Sequence, residues 1–322
     1  MPSSPSSRFA RSVLVRLAYG LLSLLFIAFV TFMANELAPG DAAMAMVGEK
    51  ASPEALQRAR EQLGLDRPWP VRFVEFVGNS ARGDFGRSYF GIREPVADII
   101  ARTLPMTAKV AFPAIALAAL VGVFLGTVAA VYQGRFLDQA ALGISTLGVT
   151  LPNFVLAPIL VYVFALHLQL LPLNWEPVQR APEFYYLILP AVVMAARPTA
   201  VLARLTRASL SETLQQEFVK LARAKGVPSF RLYVVHGLRN AILPVVTALG
   251  SSFGILLTGS FITERFFTVP GIGFTAIDAI QKRDTPVILG TVLVTGALFV
   301  VVNLVVDMLQ PLIDPRIRES QV

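Results

Sequence analysis

Five stretches of this 322-residue chain carry no charged side chain: Arg16 to Glu36, Lys109 to Arg135, Asp138 to Glu176, Arg239 to Glu264 and Asp284 to Asp307. Each can supply the ~20 mostly apolar residues that a helix needs to cross a hydrocarbon layer. A sixth apolar stretch, from about Phe184 to Arg207, carries Arg197 near its middle. The pattern predicts an all-α polytopic membrane protein with six transmembrane helices. The first apolar run is too long for a leader core, and no small-residue cleavage site precedes Asn35-Glu36, so it reads as a span.

The polar segments between these runs carry signals of their own. In residues 36–104, Ser52-Pro53-Glu54 is a helix start: a capping serine, proline at the first helical position, then an acid at the positive end of the dipole. Gly64 ends that helix, and Pro68-Trp69-Pro70 opens another with Val71, Phe73, Val74 and Val77 as its apolar stripe. Arg82-Gly83-Asp84 reads as a turn, and Phe85, Tyr89 and Phe90 among Gly83, Gly86 and Gly91 suggest a compact cap. Further on, Glu217 to Lys225 has good helix formers with a glycine stop at Gly226, so a short polar helix lies between two apolar spans. Gly122/Gly126 and Gly250/Gly254 have the spacing that lets helices approach closely, within the chain or between subunits. Prolines 113, 152, 158, 190, 198 and 244 interrupt spans and offer bending points.

Composition agrees with the pattern: 55% apolar, 15% charged and no cysteine, against about 25% charged in soluble domains. The net charge of +7 does not point to nucleic acid, because of where it lies. Arg197 to Arg239 holds eight Lys and Arg against Glu212 and Glu217, and Arg8, Arg11 and Arg16 precede the first span. Basic residues gathered in the loops of one side mark that side as cytoplasmic. Residues 1–16 are then a cytoplasmic N-terminus, 17–35 the first span and 36–104 an extracytoplasmic folded segment. Residues 105–310 form a five-helix core with a cytoplasmic loop at 208–240, and 311–322 a cytoplasmic tail.

Catalytic and cofactor signatures are missing. There is no phosphate-binding loop, no His-Glu-xx-His and no metal-ligand spacing; His167 and His236 are the only histidines. No catalytic residue, cofactor or metal is expected, and the chain reads as a non-enzymatic subunit. Asp307, near the inner end of the last span, suits an anchoring role better than proton coupling. Energy must then come from another protein. Arg197 needs compensation at mid-span, from a water-filled cavity, a carbonyl freed by Pro198 or a substrate carboxylate. With Asn153 beside Pro152, it is the candidate for the translocation pathway.

The stretch Glu217-Phe-Val-Lys-Leu-Ala-Arg-Ala-Lys-Gly226 followed by Leu238-Arg-Asn-Ala-Ile-Leu-Pro244 resembles the cytoplasmic signature loop of binding-protein-dependent ABC importer permeases of the dipeptide/oligopeptide branch. The similarity extends through Leu37-Ala-Pro-Gly-Asp41, Gly64-Leu-Asp-Arg-Pro68, Gly83-Asp-Phe-Gly-Arg-Ser88, Arg93-Glu-Pro-Val96 and Ala203-Arg-Leu-Thr-Arg-Ala-Ser209. It continues through Glu264-Arg-Phe-Phe-Thr-Val-Pro-Gly-Ile-Gly273, Asn303-Leu-Val-Val-Asp307 and Asp314-Pro-Arg-Ile-Arg318. The resemblance implies a permease subunit paired with a homologous permease, two cytoplasmic ATPases and an extracytoplasmic substrate-binding protein. It implies that Glu217, Phe218, Lys220, Ala222, Arg223, Ala224, Lys225 and Gly226 form a coupling helix against an ATPase. The competing role for this basic loop is contact with anionic membrane lipid. Peptide is the implied cargo; nickel chelates, glutathione and some sugars are alternatives in the same branch, and a self-contained secondary transporter is the alternative of a different kind.

Overall fold

In a computed structural model of the protein, residues 5–38, 42–48, 50–176 and 180–313 are described, except for the side chains of 5–12, 45, 259, 307 and 309–313. The Arg8, Arg11 and Asp307 side chains, positions 39–41 of the Leu37–Asp41 motif and the Asp314–Arg318 motif lie outside the described residues. Helix α1 (Pro5–Leu37) leads into three short helices, α2 (Ala42–Val47), α3 (Pro53–Gln62) and α4 (Trp69–Ser80). Then come α5 (Val96–Val131), α6 (Phe136–Thr150) and α7 (Asn153–Leu160), the last continuing as π-helical turns over Val161–His167. Helices α8 (Glu183–Leu214), α9 (Glu217–Ala224) and α10 (Ser229–Arg231) follow, and π-helical turns at Leu232–Leu238 lead into α11 (Arg239–Gly259). The last three are α12 (Phe261–Phe266), α13 (Ile272–Lys282) and α14 (Thr285–Ile313).

Among the described residues, five helices are long and apolar enough to cross a membrane: Val13–Leu37, Val96–Val131, Glu183–Leu214, Ser229–Thr258 and Thr285–Val306. The expected span between Asp138 and Glu176 is instead a pair, α6 with α7 and its π turns, bent by 109°. The cause is local. Proline has no N–H and pushes the residue before it out of the helical region; Leu151, ahead of Pro152, is extended at φ −84° and ψ 115°. The chain is all-α and polytopic, with six spans if the bent pair counts as one.

The chain divides into two compact units. One comprises Met1–Thr107 with Pro270–Leu304, the other Ala108–Val269 with Val305–Val322. In the first, Ser52 caps α3 by accepting from the Ala55 N–H at 3.2 Å, with Pro53 in the first turn, and Gly64 follows the helix at φ 66°. Helix α4 lies on α1 through Phe73, edge-on to Phe29 and Phe32, and through Phe76, stacked on Phe32. Val71 and Val74 point outward, so the buried stripe of α4 differs from the expected one. Its core gathers Val96, Ile100, Ile272, Ala279 and Val287, with Phe85 packed against them. The loop before α5 is tied to the start of α14: buried Asp284 accepts from the Ser88 hydroxyl and from the Tyr89 N–H at 3.1 Å. Burial, with Asp284 nearby, pushes the Tyr89 phenol up to about 12.

In the second unit α8 is the hub, with α6 and α11 along it. A Cβ on Gly126 would lie 2.4 Å from the Ala203 carbonyl oxygen, and one on Gly122 2.9 Å from that of Thr199. The Gly122/Gly126 pair therefore serves close packing of α5 on α8 within the chain. Gly250 does the same against Val306 of α14.

Candidate functional site: an exposed helix on a buried base

Helix α9 begins after an extended Gln216 (φ −70°, ψ 150°), and Val219, fully buried, anchors it to its own unit. It ends on Gly226 at φ 77°, with the Gly226 N–H donating to the Arg223 carbonyl and the Val227 N–H to that of Ala222, at 3.0 and 3.2 Å. This pair of bonds is the Schellman arrangement, and it needs a residue at ease with positive φ. Here the glycine stop expected from sequence is in place. Most of the helix faces outward. Phe218 is 43% and Leu221 57% exposed, one turn apart, and Lys220, Arg223, Ala224 and Lys225 are exposed around them, with Ala222 half-buried. Glu217 pairs with Lys220 at 2.8 Å across open surface, leaving Arg223 and Lys225 as cations without an acidic partner among the described residues. Past the turn, Phe230 is 77% exposed beside exposed Arg231.

The sequence reading missed Leu221 and Phe230. Leu221 was recoverable as the residue three after Phe218, on the same helix face. Phe230 had no such signal, because its exposure depends on the turn at Gly226-Val227-Pro228.

The base of this helix is held by an ion pair that spacing did not reveal. Arg207 of α8 donates from Nε and a terminal nitrogen to both oxygens of Asp138 on α6, at 2.6 and 2.8 Å. One of those oxygens also accepts from the Gly134 N–H at 2.9 Å. Asp138 is buried, so the pair locks the start of α6 to α8 ten residues before α9. Gly237, in the π-helical turns after α10, closes on Leu210 and Leu214 and packs the returning chain against the same stretch of α8.

The two pathway candidates sit elsewhere in this unit. Asn153 is half-buried at the first position of α7, directly after the break at Pro152. Arg197 is exposed midway along α8 and makes no hydrogen bond or ion pair among the described residues. His167 stacks on Tyr162, and the His236 carbonyl accepts from Asn240.

Residues 122–319 match the family described as "Binding-protein-dependent transport system inner membrane component", and residues 9–111 match its membrane-component N-terminal family. A Brucella abortus (strain 2308) protein named "Putative peptide transport system permease protein" is 37% identical over 309 residues, 95% of this chain and 98% of that protein. The glutathione transport system permease protein GsiC of Escherichia coli (strain K12) is 38% identical over 300 residues, 93% of this chain and 96% of that one. A chain from the crystal structure of an amino acid ABC transporter with histidines shares the fold at TM-score 0.50 and 19% identity, over 68% of this chain and 94% of that one. The chain belongs to the inner-membrane components of binding-protein-dependent transport systems, as a multi-pass ABC importer permease subunit of the peptide branch.

Proposed function

We propose that this subunit forms half of a translocation pathway and is driven by separate ATPases that grip α9. The full assembly holds this chain, a homologous second permease, two cytoplasmic ATPases and an extracytoplasmic substrate-binding protein. Both chain termini and the 208–240 loop lie in the cytoplasm, and residues 36–104 lie outside. The subunit itself is non-catalytic. Closure of the ATPases on nucleotide displaces α9, and the displacement tilts α8 and α11, switching the cavity between outward- and inward-facing states. The cargo is a peptide; glutathione, which the name of the Escherichia coli relative specifies, belongs to the same chemical class.

One observation carries this reading. Helix α9 is anchored by a single buried valine and presents Phe218, Leu221, Arg223 and Lys225 outward, on a base braced by Asp138 and Arg207. Exposed aromatic and aliphatic anchors with a basic rim suit a groove on a protein with acidic edges. Lipid contact alone would not require the rigid cap at Gly226. Purification in mild detergent tests the assembly: recovery of two ATPases and a second permease, with ATP hydrolysis raised by the loaded binding protein, is the expected result. A functional homo-oligomer that transports without any hydrolase would overturn it.

A further inference from the structure

Between Tyr186 and Leu210 every residue of α8 is buried or half-buried except four: Arg197, Val201, Arg204 and Ala208. Their spacing of four, three and four residues puts them on one helix face. Arg204, like Arg197, makes no hydrogen bond or ion pair among the described residues. Arg207, on a neighbouring face, is held by Asp138. The same helix thus pairs one arginine and leaves two uncovered in a membrane-spanning segment.

Hydrocarbon is a poor cover for Arg197, midway along the helix. A guanidinium stays charged at any physiological pH, and at the centre of a span it costs at least ~2.5–3.5 kcal/mol against hydrocarbon. Arg197 therefore meets water, an anion or an acid of the second permease, and Arg204 continues the same face toward the cytoplasmic end of the span. In the same unit, α6 exposes Gln139, Gly143, Thr146 and Thr150 at the same four-three-four spacing, with the Thr146 hydroxyl donating back to the Leu142 carbonyl at 2.8 Å, next to exposed Phe136, Ile144 and Leu147.

We infer that Arg197 and Arg204 are two successive stations for the carboxylate of the cargo, which makes this importer selective for carboxylate-bearing solutes over neutral or cationic ones. This rests on the permease reading and sharpens it. Seven residues separate the two, about 10 Å along the axis at 1.5 Å per residue. That is a short step for a peptide terminus. The planar guanidinium takes a carboxylate with two parallel bonds, and two unpaired arginines repel a free amino group or a chelated cation. Spacing the charges along the path lets an anion leave the first by reaching the second, so binding need not become a trap.

The test uses the reconstituted complex with its partner subunits. This chain has no cysteine, so Val201→Cys places one thiol between the two arginines. Sulfonatoethyl methanethiosulfonate, an anion, should label it roughly tenfold faster than the trimethylammonium analogue, relative to a free thiol, as expected for charge-assisted attraction of about one such contact. Arg197→Gln should remove most of that bias and Arg197→Lys keep it. Trialanine with a free carboxylate should slow labelling, and its C-terminal amide should not. A thiol unreactive to both reagents, or one indifferent to their charge, overturns the proposal. So does an unchanged labelling bias in Arg197→Gln together with loss of the second permease from that variant during purification, because the arginine then pairs with a partner's acid. Uptake by the parent complex without ATP would instead refute the proposed function, and the labelling result would stand apart from it.

Discussion

Helices α1 and α8 are both long enough to span a bilayer, and they are built in opposite ways. The apolar window of α1 has the higher mean hydropathy, yet 6% of it is buried within the chain; for α8 the share is 61%. In water the greasier helix would sit inside. In a bilayer, lipid tails solvate leucine as well as protein does, so hydrophobicity gives no reason to bury it. What selects the interior helix is the capacity for close contact and polar pairing. Helix α8 buries Ala191, Ala195, Ala200 and Ala203, receives Gly122, Gly126 and Gly148 at backbone distance, and carries the partner of a buried acid. Helix α1 shows Leu21, Leu22 and Phe26 to its surroundings.

The comparison breaks most visibly at Asp138. Removing one member of a buried ion pair leaves an uncompensated charge and costs about 3–5 kcal/mol. Asp138→Ala should therefore lower the thermal stability of the detergent-solubilised subunit more than any truncation on α1. Asp138→Ala combined with Arg207→Met should recover part of the loss, since neither charge is then stranded. A single mutant as mild as an α1 surface change would show that α8 is not held by this pair.

The next test compares the same residue type on the two helices. Leu202 is fully buried under Gly122, and Leu202→Ala should cost about 2 kcal/mol, at the low end for a core truncation because the transfer contribution shrinks in lipid. Leu22, 61% exposed, should change stability by less than about 0.5 kcal/mol on the same substitution. Equal losses would mean that a second subunit covers α1.

These contrasts also mark what could be read from the sequence. Runs without charge located the spans because a bilayer imposes length directly on composition. Ser52-Pro53-Glu54 and Gly226 were legible because capping chemistry is local. The 109° break was half legible: Pro152 announces an interruption, but the direction of the chain beyond it is set by packing. Asp138 and Arg207 lie 69 residues apart, and nothing in either local pattern joins them. Helix α4 was legible in part: Phe73 of the expected stripe meets Phe29 and Phe32, while Val71 and Val74 face outward and Phe76 packs on Phe32 instead. Arg197 stood out for its position, whereas its stripe with Val201 and Arg204 emerges only once burial of the rest of α8 is known.

Gly226 sharpens the contrast between a helix that is packed and one that is held ready. A β-branched residue at positive φ costs about 1–2 kcal/mol, so Gly226→Val should destabilise the loop modestly and shift or fray the end of α9. The expected readout is ATP hydrolysis no longer raised by the loaded binding protein, in a subunit that still purifies folded. Unchanged stimulation would show that the cap is not needed to place α9.

Phe218 should have the smallest effect on the chain itself, and it separates two reasons for exposing an apolar side chain. On α1, exposed leucines are explained by lipid. Phe218 and Leu221 sit on a helix whose other exposed residues include Lys220, Arg223 and Lys225, a mixture that fits the proposed ATPase groove and that a lipid surface would also attract. Phe218→Ala should leave the stability of the isolated subunit within about 0.5 kcal/mol, while weakening ATPase retention by about 1–4 kcal/mol, as loss of a buried aromatic anchor does. The pair of measurements is what decides. Loss of both would make Phe218 a folding residue whose exposure is closed by some other part of the chain, and loss of neither would return α9 to the category α1 occupies, a surface whose partner is lipid.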